Sequence, residues 1–434
     1  MIRDAYQQLL NWKNQTGRKP LIIQGARQVG KTWLMKEFGR NEYSQTAYFN
    51  FERTKELQAI FKQGYHTQQI LSALNILAGF QIRPGETLII LDEIQACPEA
   101  ITALKYFQED SPDYSIFAAG SLLGVAIHQG VSFPVGKVEF MTLHPLSFHE
   151  FLNAMGKGDL WDALQKGDTG LVEIFSVQYT GLLKQYYFIG GMPEVVNNFV
   201  ENKDYNKVRA IQENIINAYE NDFSKHAPIA QLPRIRMIWQ SIVGQLAKEN
   251  SKFIYNVLRS GARAKDFELA IEWLKDAGLI HKVNRINKPG FPIDAYADWS
   301  DFKIYLSDIG LLCARGGLTP NILLKDNNLF VEFKGTITEQ FVLQQLVCQS
   351  LQAFYWSPAL GKSEVDFVIQ KDNLIIPIEV KSAENVKSRS LRVYYDKYHP
   401  AVCIRTSLAG YQQQEWMQNI PLYGFQHWLS TPLV

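Results

Sequence analysis

The sequence predicts an α/β chain whose N-terminal part is built on a parallel sheet, and three observations carry that prediction. Short apolar runs alternate with helix-periodic stretches over residues 1–155, the pattern of strands joined by crossover helices. The first such run, Leu21-Ile22-Ile23-Gln24, leads straight into the glycine-bounded stretch Gly25-Ala26-Arg27-Gln28-Val29-Gly30-Lys31-Thr32. A later run, Leu88-Ile89-Ile90-Leu91, has no polar position and ends on Asp92-Glu93. Such a run reads as a central strand covered on both faces.

The glycine-bounded stretch fits G-x-x-x-x-G-K-[ST], a loop that cradles phosphates between a strand and a helix. The required helix follows: Thr32-Trp33-Leu34-Met35-Lys36-Glu37-Phe38 has apolar residues at helical spacing. Gly25 and Gly30 permit backbone conformations that other residues resist, so the loop amides turn toward the phosphates beside the positive end of the helix dipole. The candidate nucleotide contacts are therefore Gly25, Ala26, Arg27, Gln28, Val29, Gly30, Lys31, Thr32 and Trp33. Lys31 would reach the β- and γ-phosphates, and the Thr32 hydroxyl would ligate magnesium. Asp92 would hold the same metal, directly or through water, and Glu93 is the natural base for an attacking water. The run Phe117-Ala118-Ala119 ends on Gly120-Ser121. Ser121 is a candidate γ-phosphate sensor and equally a helix-capping serine.

The remaining strands expected in this region are Thr46–Glu52, Thr87–Leu91, Ser115–Ala119 and Lys137–Thr142, with helices such as residues 68–77 between them. Residues 156–225 read as helical. They contain Gly190-Gly191-Met192-Pro193-Glu194, a turn whose following valines start a helix; it would either report nucleotide state or simply connect two helices.

Residues 226–318 suggest a winged helix. Ala264–Leu274 places Phe267, Ala270, Ile271 and Leu274 on one helix face, Gly278 stops that helix, and strands at 280–286 and 302–306 follow. The segment holds 13 Lys and Arg against 9 Asp and Glu, a net +4. Arg259, Arg263 and Lys265 stand where phosphate contacts of a recognition helix belong, so the segment binds DNA or else packs against protein.

From residue 325 to 434 the signal changes. Ser363–Gln370 alternates polar and apolar, Lys371-Asp372-Asn373 is turn-forming, and Leu374–Lys381 is the return strand. With Gln370 facing Ile375, Asp366 lies opposite Glu379 and Glu364 opposite Lys381. Val365, Phe367 and Ile369 then meet Val380, Ile378 and Ile376 on the other face. Two adjacent carboxylates repel unless a cation sits between them; magnesium would supply it, and Lys381 would orient a water or stabilise a phosphoryl charge. Glu339, on a helix-like run upstream, would add a third carboxylate. This is the D…(D/E)-x-K pattern of the restriction-endonuclease-like fold; the competing reading is a polar hairpin face with surface ion pairs.

Composition bounds the rest. A chain of 434 residues with 46% apolar content has material for two to four packed domains. It contains no run of eighteen apolar residues and no apolar signal region, and its four cysteines lack metal-type spacing, so a cytoplasmic protein is expected. A net charge of +1 excludes a polyelectrolyte binder but leaves room for a local basic face.

These motifs, with His144-Pro145-Leu146-Ser147-Phe148 and Glu150-Phe151, resemble a large prokaryotic family of AAA-type ATPases. Its members join a P-loop domain to a C-terminal domain with a PD-(D/E)xK nuclease-like end. The resemblance covers nearly the whole chain. It implies ATP as the nucleotide, although the loop itself does not exclude guanine, and Mg2+ as the metal. Lys31, Thr32, Asp92 and Glu93 correspond to the ATPase positions. Asp366, Glu379 and Lys381, with Glu339, correspond to the nuclease-like ones. Where many members have Gly-Arg, this chain has Gly136-Lys137, an ammonium without the bidentate fork, so no arginine finger is assigned. Three functions stand open. The first is ATP hydrolysis directed at DNA, and the second a nucleotide-gated regulatory module with an inactive nuclease-like scaffold. The third is a metal-dependent nuclease for which ATP is structural. A homo-oligomer is also open.

Overall fold

The structure, a computed structural model, describes residues 1–120, 134–248, 251–324, 331–358, 363–383 and 387–432. It divides into two compact units. One holds residues 2–144 and 276–279, the other residues 145–275 and 280–434 with Met1.

The first unit is a five-stranded parallel sheet in the order β2-β3-β4-β1-β5. Its strands are β1 (Leu21–Gln24), β2 (Gln45–Asn50), β3 (Thr87–Asp92), β4 (Ser115–Ala119) and β5 (Glu139–Thr142). All six residues of β3 are buried, as its unbroken apolar run predicts. Burial of each large apolar side chain there contributes roughly 1.5–3 kcal/mol. The second strand was expected to reach Glu52 but stops at Asn50. The Asn50 side-chain oxygen accepts from the amides of Glu52 (3.0 Å) and Arg53 (3.1 Å) and turns the chain. The fifth begins at Glu139 rather than Lys137, because the Lys137 amide bonds back to Pro134 O at 3.0 Å in a turn.

The second unit carries an eight-stranded sheet, ordered β12-β13-β11-β10-β9-β8-β6-β7. The strands are β6 (Ile280–Ile286), β7 (Ala297–Leu306), β8 (Ala353–Trp356), β9 (Val365–Lys371), β10 (Leu374–Val380), β11 (Ile404–Ser407), β12 (Gln412–Gln413) and β13 (Gln418–Pro421). Here the expected division changes. Helix Ala264–Asp276 does bury Phe267, Ala270, Ile271 and Leu274, and β6 and β7 do form an antiparallel pair behind it. Yet β6 also pairs in parallel with β8, so the pair is part of the same sheet as β9 and β10. The boundary expected between residues 318 and 325 therefore runs through one sheet. The free backbone edge of β6 is satisfied by a strand some seventy residues later.

The β9–β10 hairpin has the expected register, with Gln370 opposite Ile375 and Phe367 opposite Ile378. Its turn residues Asp372 and Asn373 have φ of +48° and +63°, which asparagine and aspartate tolerate best among residues with a side chain. The edge strand β7 is covered by the helix Val331–Cys348. The Gln340 amide accepts from Leu306 N (3.1 Å) and donates to Leu306 O (2.7 Å), replacing the missing strand partner.

The glycine pair of residues 190–191 joins helices Ser176–Ile189 and Pro193–Asn202, the connector reading of that motif. Both glycines are required by close approach. A Cβ on Gly191 would stand 2.3 Å from Leu146 O, and one on Gly190 2.8 Å from Gly310 N. Asp308 closes this clasp, its carboxylate accepting from Gly191 N (2.6 Å) and Leu311 N (2.9 Å). Burial pushes Asp308 up to about 6, with those two amides pulling the other way.

Candidate functional site

In the first unit, β1 delivers the phosphate loop and helix Lys31–Glu42 leaves it. Gly25, Gln28 and Gly30 have φ of +139°, +68° and +95°, so the loop winds through conformations of the left-handed half of backbone space. Gly25 also permits contact with the chain behind: a Cβ there would lie 2.2 Å from Leu143 O. The first backbone bond of the helix runs from Leu34 N to Gly30 O at 2.9 Å, which leaves the amides of Lys31, Thr32 and Trp33 ahead of it without an intrahelical acceptor. That is the anion-binding end of a helix.

Lys31 is 7% exposed and folds back on its own loop, donating to Gly25 O and Ala26 O at 2.8 Å each. Burial pushes its pKa down to about 8, opposed by the carboxylates of Glu93 and Asp92. Thr32 Oγ1 donates to Asp92 Oδ2 at 2.9 Å, so the hydroxyl and carboxylate expected to share a metal already face one another. The Glu93 amide donates to Asp92 Oδ1 (3.1 Å), and Glu93 itself adopts φ +53° at the end of β3. Gln95 donates to Glu93 Oε2 at 2.6 Å and orients it. A cleft of about 320 Å³ is lined by Arg27, Thr32, Lys36, Tyr48, Asn50, Glu52, Arg53, Asp92 and Glu93. Its donors fit a magnesium–triphosphate pair: a hydroxyl and a buried carboxylate for the cation, ammonium and amides for the anion. Trp33 lies apart from this lining, 43% exposed. Ser121 lies outside the described residues. Lys137 pairs with Glu109 at 3.0 Å.

Several residues of this site were not singled out in the sequence. Tyr48 donates to Asp92 Oδ2 at 2.7 Å, the same oxygen that Thr32 uses, and Lys36 Nζ lies 3.6 Å from the Tyr48 ring centroid. Alternation in β2 was the available signal: Ala47 and Phe49 are buried, which turns Tyr48 and Asn50 to the other face. Arg3 is 5% exposed and braces the loop from behind, donating to Val29 O (2.9 Å) and His144 O (2.7 Å). Gly278, expected only as a helix stop, packs against the loop: a Cβ there would be 2.9 Å from Ala26 N.

The second unit gathers the other expected residues, with additions. Asp366 Oδ2 accepts from Val380 N at 2.7 Å. Glu379 is 3% exposed, its Oε1 paired with Lys381 (2.7 Å) and its Oε2 accepting from Leu391 N (3.0 Å) in the first turn of helix Arg389–Tyr398. Tyr305 donates to Glu339 Oε2 at 2.8 Å. Lys303, 1% exposed on β7, lies 2.6 Å from Glu364 Oε1 and 3.8 Å from Glu339 Oε2. The polar side of the hairpin is thus partly buried: Glu379 is enclosed, while Glu364, Asp366 and Lys381 are half-buried. Burial raises Asp366 well above the usual carboxylate range, and the nearby Glu339 and Glu379 raise it further against Lys381 and Lys303. Among the described residues no three His, Cys, Asp or Glu side chains are grouped so that they could hold a metal ion. In the expected metal set, Glu339 Oε2, Asp366 Oδ2 and both oxygens of Glu379 accept from phenol, amide or ammonium donors, so as arranged here the set does not present a ready metal site.

Residues 17–152 match the sequence family described as AAA domain. Residues 180–321 and 334–425 match two domains of unknown function, DUF8612 and DUF4143. No curated protein matches the chain. Among solved structures it is similar to the Walker-type ATPase of Pyrococcus abyssi, at 14% identity and TM-score 0.46 over 73% of this chain and 95% of that one. It is also similar to the Orc1 protein of Aeropyrum pernix in complex with DNA (11% identity, TM-score 0.27, 73% and 93% covered). A further similarity is to Cdc6p of Pyrobaculum aerophilum (10%, 0.26, 74% and 96%). Among the described residues no helix is long and apolar enough to cross a membrane. With the phosphate loop, the Thr32–Asp92 contact and the adjacent Glu93 at the carboxyl ends of β1 and β3, residues 17–152 form an AAA-type P-loop ATPase domain.

Proposed function

We propose that the chain hydrolyses ATP in its first unit to drive an action of its second unit on DNA. The contact between Thr32 and Asp92 carries the hydrolytic part of this reading, since it puts a hydroxyl and a carboxylate 2.9 Å apart beside the loop. Lys31 leaves its two carbonyl partners for the phosphates, and the amides ahead of Leu34 take the remaining phosphate charge. Mg2+, when bound, neutralises charge on the phosphate oxygens, and Thr32 and Asp92 are the residues that would hold it. Glu93, oriented by Gln95, accepts the proton of the attacking water.

The DNA part is supported by Arg259, Arg263 and Lys265, all exposed around the start of helix Ala264–Asp276 in a segment of net +4. For the carboxylate centre of the second unit, the scaffold reading is favoured over cleavage by the pairing of its acids with Lys303 and Lys381.

ATP turnover measured with and without DNA over a salt series tests the whole. Glu93→Gln should retain ATP and lose turnover. DNA should stimulate the wild type, and joint replacement of Arg259, Arg263 and Lys265 by alanine should lower the log–log salt slope by roughly 3, about 0.9 per lost phosphate contact. Absence of DNA binding at low salt sinks the DNA reading and leaves the ATPase standing. DNA cleavage that Asp366→Ala removes would restore the nuclease.

A further inference from the structure

The carboxylate centre of the second unit gathers four acids from one helix and one hairpin. Glu339 comes from helix Val331–Cys348, Glu364 from just before β9, Asp366 from β9 and Glu379 from the end of β10. Four acids drawn together in a partly buried place need compensating charge. The surroundings provide it from the chain itself. Lys381 pairs with Glu379 at 2.7 Å. Arg405, 5% exposed, is the register partner of Glu379 across β10 and β11. Lys303 enters from β7, on the far side of the hairpin, and reaches Glu364 and Glu339 together, with the Tyr355 ring centroid 5.1 Å from its ammonium.

Lysine is almost never fully buried unless paired, and here the apolar strand Phe302–Leu306 is interrupted by this one charge. Its ammonium occupies the position between two carboxylates that a bridging cation would take. Each acid also has a protein donor of its own: Tyr305 for Glu339, Val380 N for Asp366, Leu391 N and Lys381 for Glu379. A second, divalent charge brought beside Lys303 would be repelled by it at close range in a poorly screened site.

We propose that Lys303 is the resident cation of this centre, a tethered ammonium that ties β7 to the β9–β10 hairpin and helix Val331–Cys348, and that the centre takes up no divalent metal while Lys303 is present. The inference rests on the scaffold reading of this centre and is independent of the ATPase.

Mn2+ alone, counted by the electron paramagnetic resonance signal of the free ion, tests it on the full nucleotide-free chain. Wild type and Asp366→Asn should bind the same amount, because only uptake at this centre depends on Asp366. Lys303→Met should gain about one ion per chain, bound at least about tenfold more tightly than any uptake by wild type at this centre, and adding Asp366→Asn should abolish the gain. One ion bound by wild type and lost in Asp366→Asn overturns the proposal. So does a folded Lys303→Met that gains nothing, since Lys303 would then not be what excludes the metal. Where Lys303→Met fails to fold, Lys303→Met with Glu364→Gln removes the acid left unpaired and reads the same gain. The comparison of wild type with Asp366→Asn decides independently of either.

Discussion

Replacing Tyr48 by phenylalanine isolates one hydrogen bond at the nucleotide site. The hydroxyl donates to Asp92 Oδ2 at 2.7 Å, and Thr32 donates to the same oxygen at 2.9 Å. Burial first, and the Asp92 bond second, push Tyr48 up to about 12, so it remains a protonated donor through the whole working range. Once Thr32 turns its hydroxyl to a metal, Tyr48 is the side-chain donor left to hold the Asp92 carboxylate in place. A hydrogen bond to a charged partner contributes about 1.5–3 kcal/mol, and each 1.36 kcal/mol is tenfold in rate. The loss in kcat/KM for ATP should therefore be roughly 10- to 150-fold. Phenylalanine keeps the ring that Lys36 covers at 3.6 Å, so the cation–π contact is retained. Steady-state hydrolysis across a magnesium series is the assay, with thermal unfolding as the control. The loss should shrink as magnesium is raised if Tyr48 acts by orienting the metal-binding carboxylate. Turnover within twofold of wild type at all magnesium concentrations would refute the reasoning.

Two further outcomes follow from particular contacts. Lys31 has its pKa pushed down to about 8 by burial, and a bound polyphosphate raises it again, so nucleotide binding is accompanied by proton uptake above that pH. Affinity for ATP should be level from about pH 6.5 to 7.5 and fall by up to roughly tenfold per unit beyond about 8, read with a fluorescent analogue; a level profile to pH 10 contradicts this. In the second unit, Gly191→Ala forces a Cβ to within 2.3 Å of Leu146 O and should cost about 2–4 kcal/mol in urea unfolding. Gly181→Ala, in open space on helix Ser176–Ile189, should instead stabilise by about 0.5–1 kcal/mol, and equal effects of the two would remove the clasp argument.

The parts legible in the sequence are those written in contiguous residues. Strand, glycine loop and helix at residues 21–42 are such a part, because the phosphate loop needs its backbone angles and its lysine within one short stretch. The β9–β10 hairpin is another: a two-residue turn sets the register of both strands, so Gln370 opposite Ile375 could be counted out beforehand. Burial on both faces of β3 was likewise carried by its own composition.

What joins distant segments had no local signature. Asp92 is held by Tyr48, forty-four positions away, because β2 and β3 lie side by side. Arg3 reaches Val29 and His144, and Lys303 meets Glu364 across sixty-one positions. Residues 226–318, read as a domain apart, belong to the sheet of the C-terminal strands because β6 finds its second partner in β8. By itself, then, the sequence determined the strand–glycine loop–helix unit and the register of the β9–β10 hairpin, since local geometry and alternation are properties of a few consecutive residues. Only the tertiary structure decided which charges those acids meet, because a buried carboxylate is neutralised by whatever cation the packing of remote strands brings within a few ångströms.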